Sequence, residues 1–263
     1  MKAATLVAVA VPGVLLALDL RAARLGPMPI NAAIHESGLW AIRLLVVSLA
    51  ITPFRRALRW PRLVQLRRMI GVAAFAYVAV HLVLYVIDLK YDLAKVASEI
   101  VLRFYLTIGF VGLLILAALA ATSTDAMIRR LGGKRWQTLH RAVYVASVLA
   151  IVHHFLQSKL NVTEPTILAG MLIWLLAARR IDELDSVWRL ALLSVAAGLV
   201  TAAGEAAWFG LGTGADPMLV LAANLQFDFG LRPSWYVLIA GLTVTAVVAA
   251  TNALRMVRQA RLR

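Results

Sequence analysis

Apolar residues run along this chain in long blocks, without the strict alternation that a membrane β-barrel strand needs. Eight blocks stand out, about Ala4 to Leu20, Leu39 to Phe54, Met69 to Leu89, Phe104 to Ala121, Thr138 to Gln157, Val162 to Ala178, Val187 to Leu211 and Ser234 to Leu254. Most come close to the ~20 residues that carry a helix across a ~30 Å hydrocarbon layer. The pattern predicts an all-α polytopic membrane bundle of about eight transmembrane helices. Gly and Pro punctuate the connections, at Gly26, Pro27 and Pro29, at Pro53 and Pro61, and at Gly132 with Gly133. The amphipathic stretch Asp125 to Leu131 reads as an interfacial helix capped by Ser123 or Thr124 and stopped by the glycine pair. Gly210, Gly212 and Gly214 read as an outside turn, since no strand precedes them to make a dinucleotide site. For the first block a cleaved signal peptide is the competing reading, opposed by Asp19, Arg21 and Arg24, which follow without a clean small-residue cleavage site.

Composition agrees with the pattern. Of 263 residues, 62% are hydrophobic and 15% charged, with a mean hydropathy of +0.84, which excludes a water-soluble domain. The net charge of +14 raises nucleic acid as a partner, but the basic residues sort by topology instead. With the N-terminus inside, 17 of them fall on the inner side, including Arg55, Arg56, Arg59, Arg62, Arg67 and Arg68, Arg129 to Arg135, Arg179 with Arg180, and a tail with Arg261 and Arg263. Seven fall outside, among them Lys159 and Arg232. The positive-inside rule then puts both termini in the cytoplasm, with membrane lipid rather than nucleic acid as the partner of this charge. Without cysteine there is no disulfide, iron–sulfur cluster, thiolate-ligated haem or c-type attachment, so any haem must be held by His or Met.

The five histidines are the chemistry-bearing residues, because an ionisable side chain at membrane depth is costly and faces the bundle interior. His81 shares a helical stripe with Tyr77 and Tyr85, four residues to either side. His140 opens the fifth block, and His153 and His154 follow thirteen and fourteen residues later, roughly 20 Å along a helix. Two levels of haem are therefore available, with imidazoles from facing helices clamping an iron axially and Ala146 and Ala150 leaving room for a flat macrocycle. The bland reading of each histidine is an interhelical hydrogen bond. Helical phase relative to His140 favours His154 over His153.

The stretch with His35, Gly38 and Trp40, then Leu49-Ala50-Ile51-Thr52-Pro53, Arg67-Arg68-Met69-Ile70-Gly71, His81-Leu82 with Tyr85, Tyr105-Leu106-Thr107, Thr122-Ser123-Thr124, Leu131-Gly132, Trp136, Leu139-His140-Arg141, Tyr144 and His153 resembles the MsrQ (YedZ) family of the ferric-reductase-like transmembrane superfamily. The resemblance covers about residues 31–180. It implies a b-type cytochrome of the bacterial inner membrane with one or two haems b and also FMN. Such a subunit takes electrons from the quinone pool and passes them to a periplasmic molybdopterin methionine sulfoxide reductase catalytic subunit that repairs oxidised proteins. It is a redox subunit rather than the catalytic one.

Carried over by position, the haem ligands fall on His81, His140 and His153, with His154 as the alternative to His153 and the haem iron held by His81 and His153. Here resemblance and phase point to different residues. His35 matches a family histidine just outside the second block. The superfamily places two histidines on each of two helices; this chain has Arg67 and Arg68 fourteen and thirteen residues before His81, so His140 lacks a partner of its own kind. The inner level is then a haem with another axial group or the location of flavin or quinone chemistry, with Arg67, Arg68 and Trp136 as cofactor-binding candidates. The bland reading of the arginine pair is a topogenic, lipid-facing cluster. Glu205 and Asp88 are acids placed to relay protons.

These readings divide the chain into an N-terminal helix and loop (1–30), a haem-binding core (31–180) that makes six helices together with the first, and a two-helix C-terminal extension (181–263). The extension's outside loop, with Asp216, Asp228 and Phe229, docks the partner or extends the bundle. Two alternatives stay open: a ferric or cupric reductase-type cytochrome, and a non-redox membrane transporter or assembly factor.

Overall fold

The computed structural model describes residues 1–158, 161–228 and 230–260. Lys159, Arg261 and Arg263 of the topology argument, and Phe229 of the outside loop, lie outside the described residues. Among the described residues there are helices and no strands. They are α1 (Lys2–Arg21), α2 (Pro29–Ala57), α3 (Val64–Asp88), α4 (Leu93–Leu102), α5 (Phe104–Ala121), α6 (Asp125–Leu131), α7 (Gly133–His140), α8 (Ala142–Gln157), α9 (Thr163–Ala178), α10 (Val187–Thr213), α11 (Pro217–Ala223) and α12 (Pro233–Ala260), with a 3-10 turn at Pro61–Leu63. Seven helices are long and apolar enough to cross a membrane, taking α7 with α8 as one, and α9 is an eighth, shorter apolar helix of 16 residues. The chain is a multi-pass membrane protein.

Several boundaries differ from the hydropathy reading. α2 begins ten residues before its apolar block, so His35 lies on a helix and not outside it. The fifth block is two helix segments joined through Arg141, whose backbone stays in the right-handed helical region at φ −68° and ψ −21°. Gly210 and Gly212 are the last turn of α10, and only Gly214, at φ 71°, turns the chain. α4 and α11 had no counterpart, since at ten and seven residues they are too short to register as spanning blocks. α6 has the bounds read from the sequence; of the two caps proposed, the Thr124 hydroxyl accepts from the Met127 amide at 3.2 Å, and Gly132 ends the helix at φ 75°.

The chain divides into two compact units, residues 1–48 with 65–157 and residues 49–64 with 158–263. In the first, α5 packs along α8, and the Tyr77 hydroxyl of α3 donates to the Val9 carbonyl of α1 at 2.9 Å. Ala33, Ile34 and Leu84 form a small core against which Tyr85 packs. The polar stripe of α3 thus faces α1 and α2 rather than lipid.

In the second unit α9, α10 and α12 pack on one another. Small residues bring them close: a Cβ at Gly170 would collide with Thr201, and one at Gly241 would stand 2.7 Å from the Ser194 Cβ. Trp174 donates to the Ser194 hydroxyl at 3.1 Å. Arginines read as topology signals also satisfy backbone carbonyls here. Arg56 donates to the carbonyls of Ile181 at 2.6 Å and Asp182 at 3.0 Å, Arg179 to Leu49 at 2.5 Å, and Arg255 to Leu58 at 2.6 Å. The Ile181, Asp182 and Leu58 carbonyls lie just past the ends of α9 and α2, where intrahelical donors run out, and the Leu49 carbonyl inside α2 lacks one because Pro53, four residues on, has no N–H.

Candidate functional site

The first unit brings two of the five histidines together. His81 of α3 and His153 of α8 stand with ring centroids 6.4 Å apart and planes at 88°. Each ring is held by one nitrogen. His81 Nδ1–H donates to the Ile34 carbonyl of α2 at 2.8 Å, and His153 Nδ1–H donates to the Tyr105 carbonyl of α5, also at 2.8 Å. A carbonyl only accepts, so both neutral rings carry their proton on Nδ1 and keep the Nε2 lone pair for a metal.

Local structure sets these carbonyls. Tyr105 follows the corner between α4 and α5, where Arg103 leaves helical backbone at φ −104° and ψ 102°. That corner is fastened by Arg103 to Glu99 at 2.5 Å and to the Tyr105 hydroxyl at 3.0 Å, and by the Thr107 hydroxyl to the Ile100 carbonyl at 2.6 Å. Ile34 sits in the part of α2 that precedes the apolar block.

A haem iron fits this pair. Two metal–imidazole bonds of about 2 Å each, with the inner halves of two five-membered rings, account for a centroid separation of 6.4 Å. The donor set is right as well, since one lone pair per ring is left after the carbonyl bonds. Of the small residues read as making room, Ala150 is half-buried, whereas Ala146 is fully buried and its backbone faces Gly112 of α5. Ala146 belongs to the α5–α8 seam and not to the wall of a cofactor site. His154, next along α8, is carried about 100° further round the helix.

The inner candidates form a separate group. His140 ends α7 and stacks on Trp136 at 3.8 Å with planes 25° apart. Trp136 donates through Nε1 to the Thr122 carbonyl at 2.8 Å. The Thr122 hydroxyl gives its proton to the Ala118 carbonyl at 2.8 Å, so at 3.2 Å it accepts from His140 Nε2. His140 is therefore tied through the nitrogen that His81 and His153 leave open. Arg67 lies within charge–charge range of His140, while Arg68 is paired with Asp125 of α6. The Arg68 guanidinium holds the Asp125 carboxyl below the usual carboxylate range, by hydrogen bond first and by charge second. His35 is exposed on α2, next to the residue whose carbonyl holds His81.

The second unit holds Glu205 of α10, 3% exposed, with the Arg232 guanidinium at 2.9 Å. Beside it Ser234 donates to the Asn224 side-chain oxygen at 2.5 Å and Trp235 to the Asn224 carbonyl at 2.7 Å. Sequence reasoning had Glu205 but no partner for it. An arginine 27 residues further on, across a helix end and a loop, leaves no local signal.

Comparison with known proteins gives the arrangement a lineage. The family described as ferric reductase like transmembrane component matches residues 37–151. The chain is 46% identical over 156 residues, 59% of its length and 75% of the relative's, to the protein-methionine-sulfoxide reductase heme-binding subunit MsrQ of Rhodospirillum rubrum. It is 43% identical over 159 residues to the MsrQ of Caulobacter vibrioides, covering 60% of this chain and 76% of the relative. With the MsrQ of Azospira oryzae it shares 38% identity over 185 residues, 70% of this chain and 79% of the relative. No solved structure matches the chain significantly. Since these relatives are matched over three quarters or more of their own length, the chain belongs to the MsrQ family within the ferric-reductase-like transmembrane superfamily.

Proposed function

We propose that the chain is a b-type haem electron-transfer subunit of the bacterial inner membrane, with both termini in the cytoplasm, that holds a haem between His81 and His153. Its electrons come from quinol or from a flavin reductase. They go to a periplasmic molybdopterin protein-methionine-sulfoxide reductase subunit, where the catalysis resides. The observation that carries the reading is the facing pair of imidazoles, each with Nδ1 donated to a backbone carbonyl and Nε2 left for iron. The names of the relatives support it, because they describe heme-binding subunits of that reductase.

When bound, a bis-imidazole haem supplies a one-electron carrier in a low-dielectric sleeve. The chain's own residues supply the rest. The Ile34 and Tyr105 carbonyls fix the tautomer and the ring orientation, and the hydrogen bond makes each imidazole a stronger donor. Residues 31–180 form the haem-binding core of the proposal and residues 181–263 its extension. The inner group of His140, Trp136 and Arg67 is where a second haem or FMN belongs on this reading. Its Nε2 is engaged with Thr122, so a ligand there has Nδ1 available or displaces the hydroxyl.

Haem per polypeptide, measured on purified protein expressed with ample haem, tests the proposal. His81→Ala and His153→Ala each abolish most of the low-spin absorbance, and His140→Ala spares it. Full low-spin absorbance in both of the first two variants would refute the assignment.

A further inference from the structure

The two candidate haem ligands are seated in the same way on two different helices. His81 Nδ1 reaches the Ile34 carbonyl, and a Cβ built on Gly38 would lie 2.9 Å from that nitrogen and 3.1 Å from Cε1. His153 Nδ1 reaches the Tyr105 carbonyl, and a Cβ on Gly109 would lie 2.8 Å from that nitrogen, 2.9 Å from Cε1 and 3.1 Å from Cγ. In both cases the glycine stands four residues after the accepting carbonyl on the same helix.

The spacing has a physical cause. Every Cα–Cβ bond of a helix tilts toward its N-terminus, so a side chain at i+4 leans over the turn that carries the carbonyl of residue i. That carbonyl accepts the amide of i+4 along the helix and has a second lone pair to offer. A ring from a neighbouring helix reaches the second lone pair only if nothing hangs over it. The same device admits a phenol at Gly13 of α1, where a Cβ would lie 2.9 Å from the Tyr77 hydroxyl that donates to the Val9 carbonyl four residues earlier, so the seat is shared by this unit and takes an imidazole at Gly38 and Gly109. Gly71 faces the Ser48 hydroxyl and Gly112 the Leu149 Cβ, both at an ordinary 3.7 Å.

We infer that Gly38 and Gly109 are positioning residues for the two axial imidazoles, each opening a helix carbonyl to one ring and together fixing the ring planes at right angles. The inference rests on the bis-imidazole reading above and adds to it the residues that set the ligand geometry. Without a carbonyl within reach, a ring loses its fixed tautomer and turns freely about the bond to iron. Near-perpendicular axial planes leave the two iron orbitals that interact with the rings close in energy. A low-spin ferric centre of that kind gives a single, strongly anisotropic EPR feature at large g, whereas near-parallel planes give a well-spread rhombic spectrum.

The test uses the full chain with Gly38→Ala, Gly109→Ala and, as a control on the same helix, Gly112→Ala. Wild type and Gly112→Ala give the large-g feature with full haem. Gly38→Ala and Gly109→Ala move the signal toward the rhombic form or lose haem several-fold. A second measurement guards against simple misfolding: thermal midpoints of Gly109→Ala in the native and the His153→Gly background, both expressed under haem limitation. The alanine lowers the midpoint where the ring is present and leaves it unchanged or raised where the ring is gone, because alanine is otherwise the better helix residue. Full haem with an unaltered EPR spectrum in both glycine variants overturns the inference, and so does an equal loss of midpoint in the two backgrounds. Retention of haem in His81→Ala and His153→Ala sinks the ligand assignment instead, and the haem-free cycle still reports on the seats.

Discussion

The two units treat their buried polar groups in opposite ways. In the first, each of two facing imidazoles gives one nitrogen to a backbone carbonyl and keeps the other. In the second, Glu205 is met by an opposite charge at 2.9 Å, and Asn224, Ser234 and Trp235 bond among themselves beside it. On the proposed reading the first arrangement is completed by a haem iron, which the two remaining ring nitrogens would hold. The second pairs its charges but leaves Glu205 Oε2 and Arg232 Nε without a hydrogen-bond partner, while the Asn224 carbonyl at the end of α11 is taken up by Trp235. The matched family span, residues 37–151, takes in His81 and His140, ends two residues before His153 and stops well short of Glu205 and Arg232.

Breaking the charged cluster has the largest expected effect on folding. Glu205→Ala leaves Arg232 without its counter-charge, and removing one partner of a buried pair costs about 3–5 kcal/mol. Arg232 is about a third exposed, which places the loss near the lower end. Thermal unfolding in detergent reads it, and Glu205→Gln, which retains a hydrogen-bonding group, loses less. In the first unit the haem-free His153→Ala variant forfeits one hydrogen bond and loses only about 1 kcal/mol, while its haem content collapses. Equal stability losses in the two variants would erase the contrast between the units.

The group around His140 offers an intermediate test. Thr122→Val removes the hydroxyl that accepts from His140 Nε2 and leaves the Thr122 carbonyl to Trp136. The expected loss is about 1 kcal/mol, with the His81–His153 absorbance intact. If that absorbance falls along with stability, the two groups are coupled, and the reading of separate levels needs revision.

How much of this was legible in the sequence depends on the range of the forces involved. The membrane helices were, since about 20 apolar residues cannot rest elsewhere, and α6 was, because its cap and its terminal glycine are local. His81 stood out because an imidazole inside an apolar block demands a partner. Phase relative to His140 said nothing of which imidazole meets α5, where the Tyr105 carbonyl holds the His153 ring, because that partner lies on another helix. Gly38 and Gly109 carried no signal as pads for rings, because their meaning depends on which helix lies opposite. The arginines were read for charge alone; that Arg56 and Arg255 cap carbonyls past helix ends, and that Arg179 takes the Leu49 carbonyl left open by Pro53, follows only from tertiary packing.

The smallest effects belong to one exposed ion pair in each unit, Arg68 with Asp125 in the first and Arg59 with Asp185 in the second. In both the arginine holds the carboxyl below its usual range, chiefly through the hydrogen bond. A carboxyl whose folded pKa is depressed contributes stability that is fully present above the ordinary carboxylate value, near about 4, and is lost as pH falls through the lower folded value. Each pair therefore makes its full contribution at neutral pH and loses it only in acid, which steepens the fall of stability there. For Asp185, whose side chain is 26% exposed, the contribution lies within the ~0.2–1 kcal/mol of solvent-facing pairs and shrinks with salt. Asp125→Asn and Asp185→Asn should flatten the acid limb of a pH–stability curve by small, similar amounts at low ionic strength. The comparison of units sharpens here, since Asn252 also donates to the Asp185 carbonyl at 3.0 Å. That bond is to the backbone and survives the substitution, so a markedly larger effect for Asp185→Asn would mean that the second unit depends on this side chain to hold the end of α12, and that its closure extends beyond the Glu205 cluster.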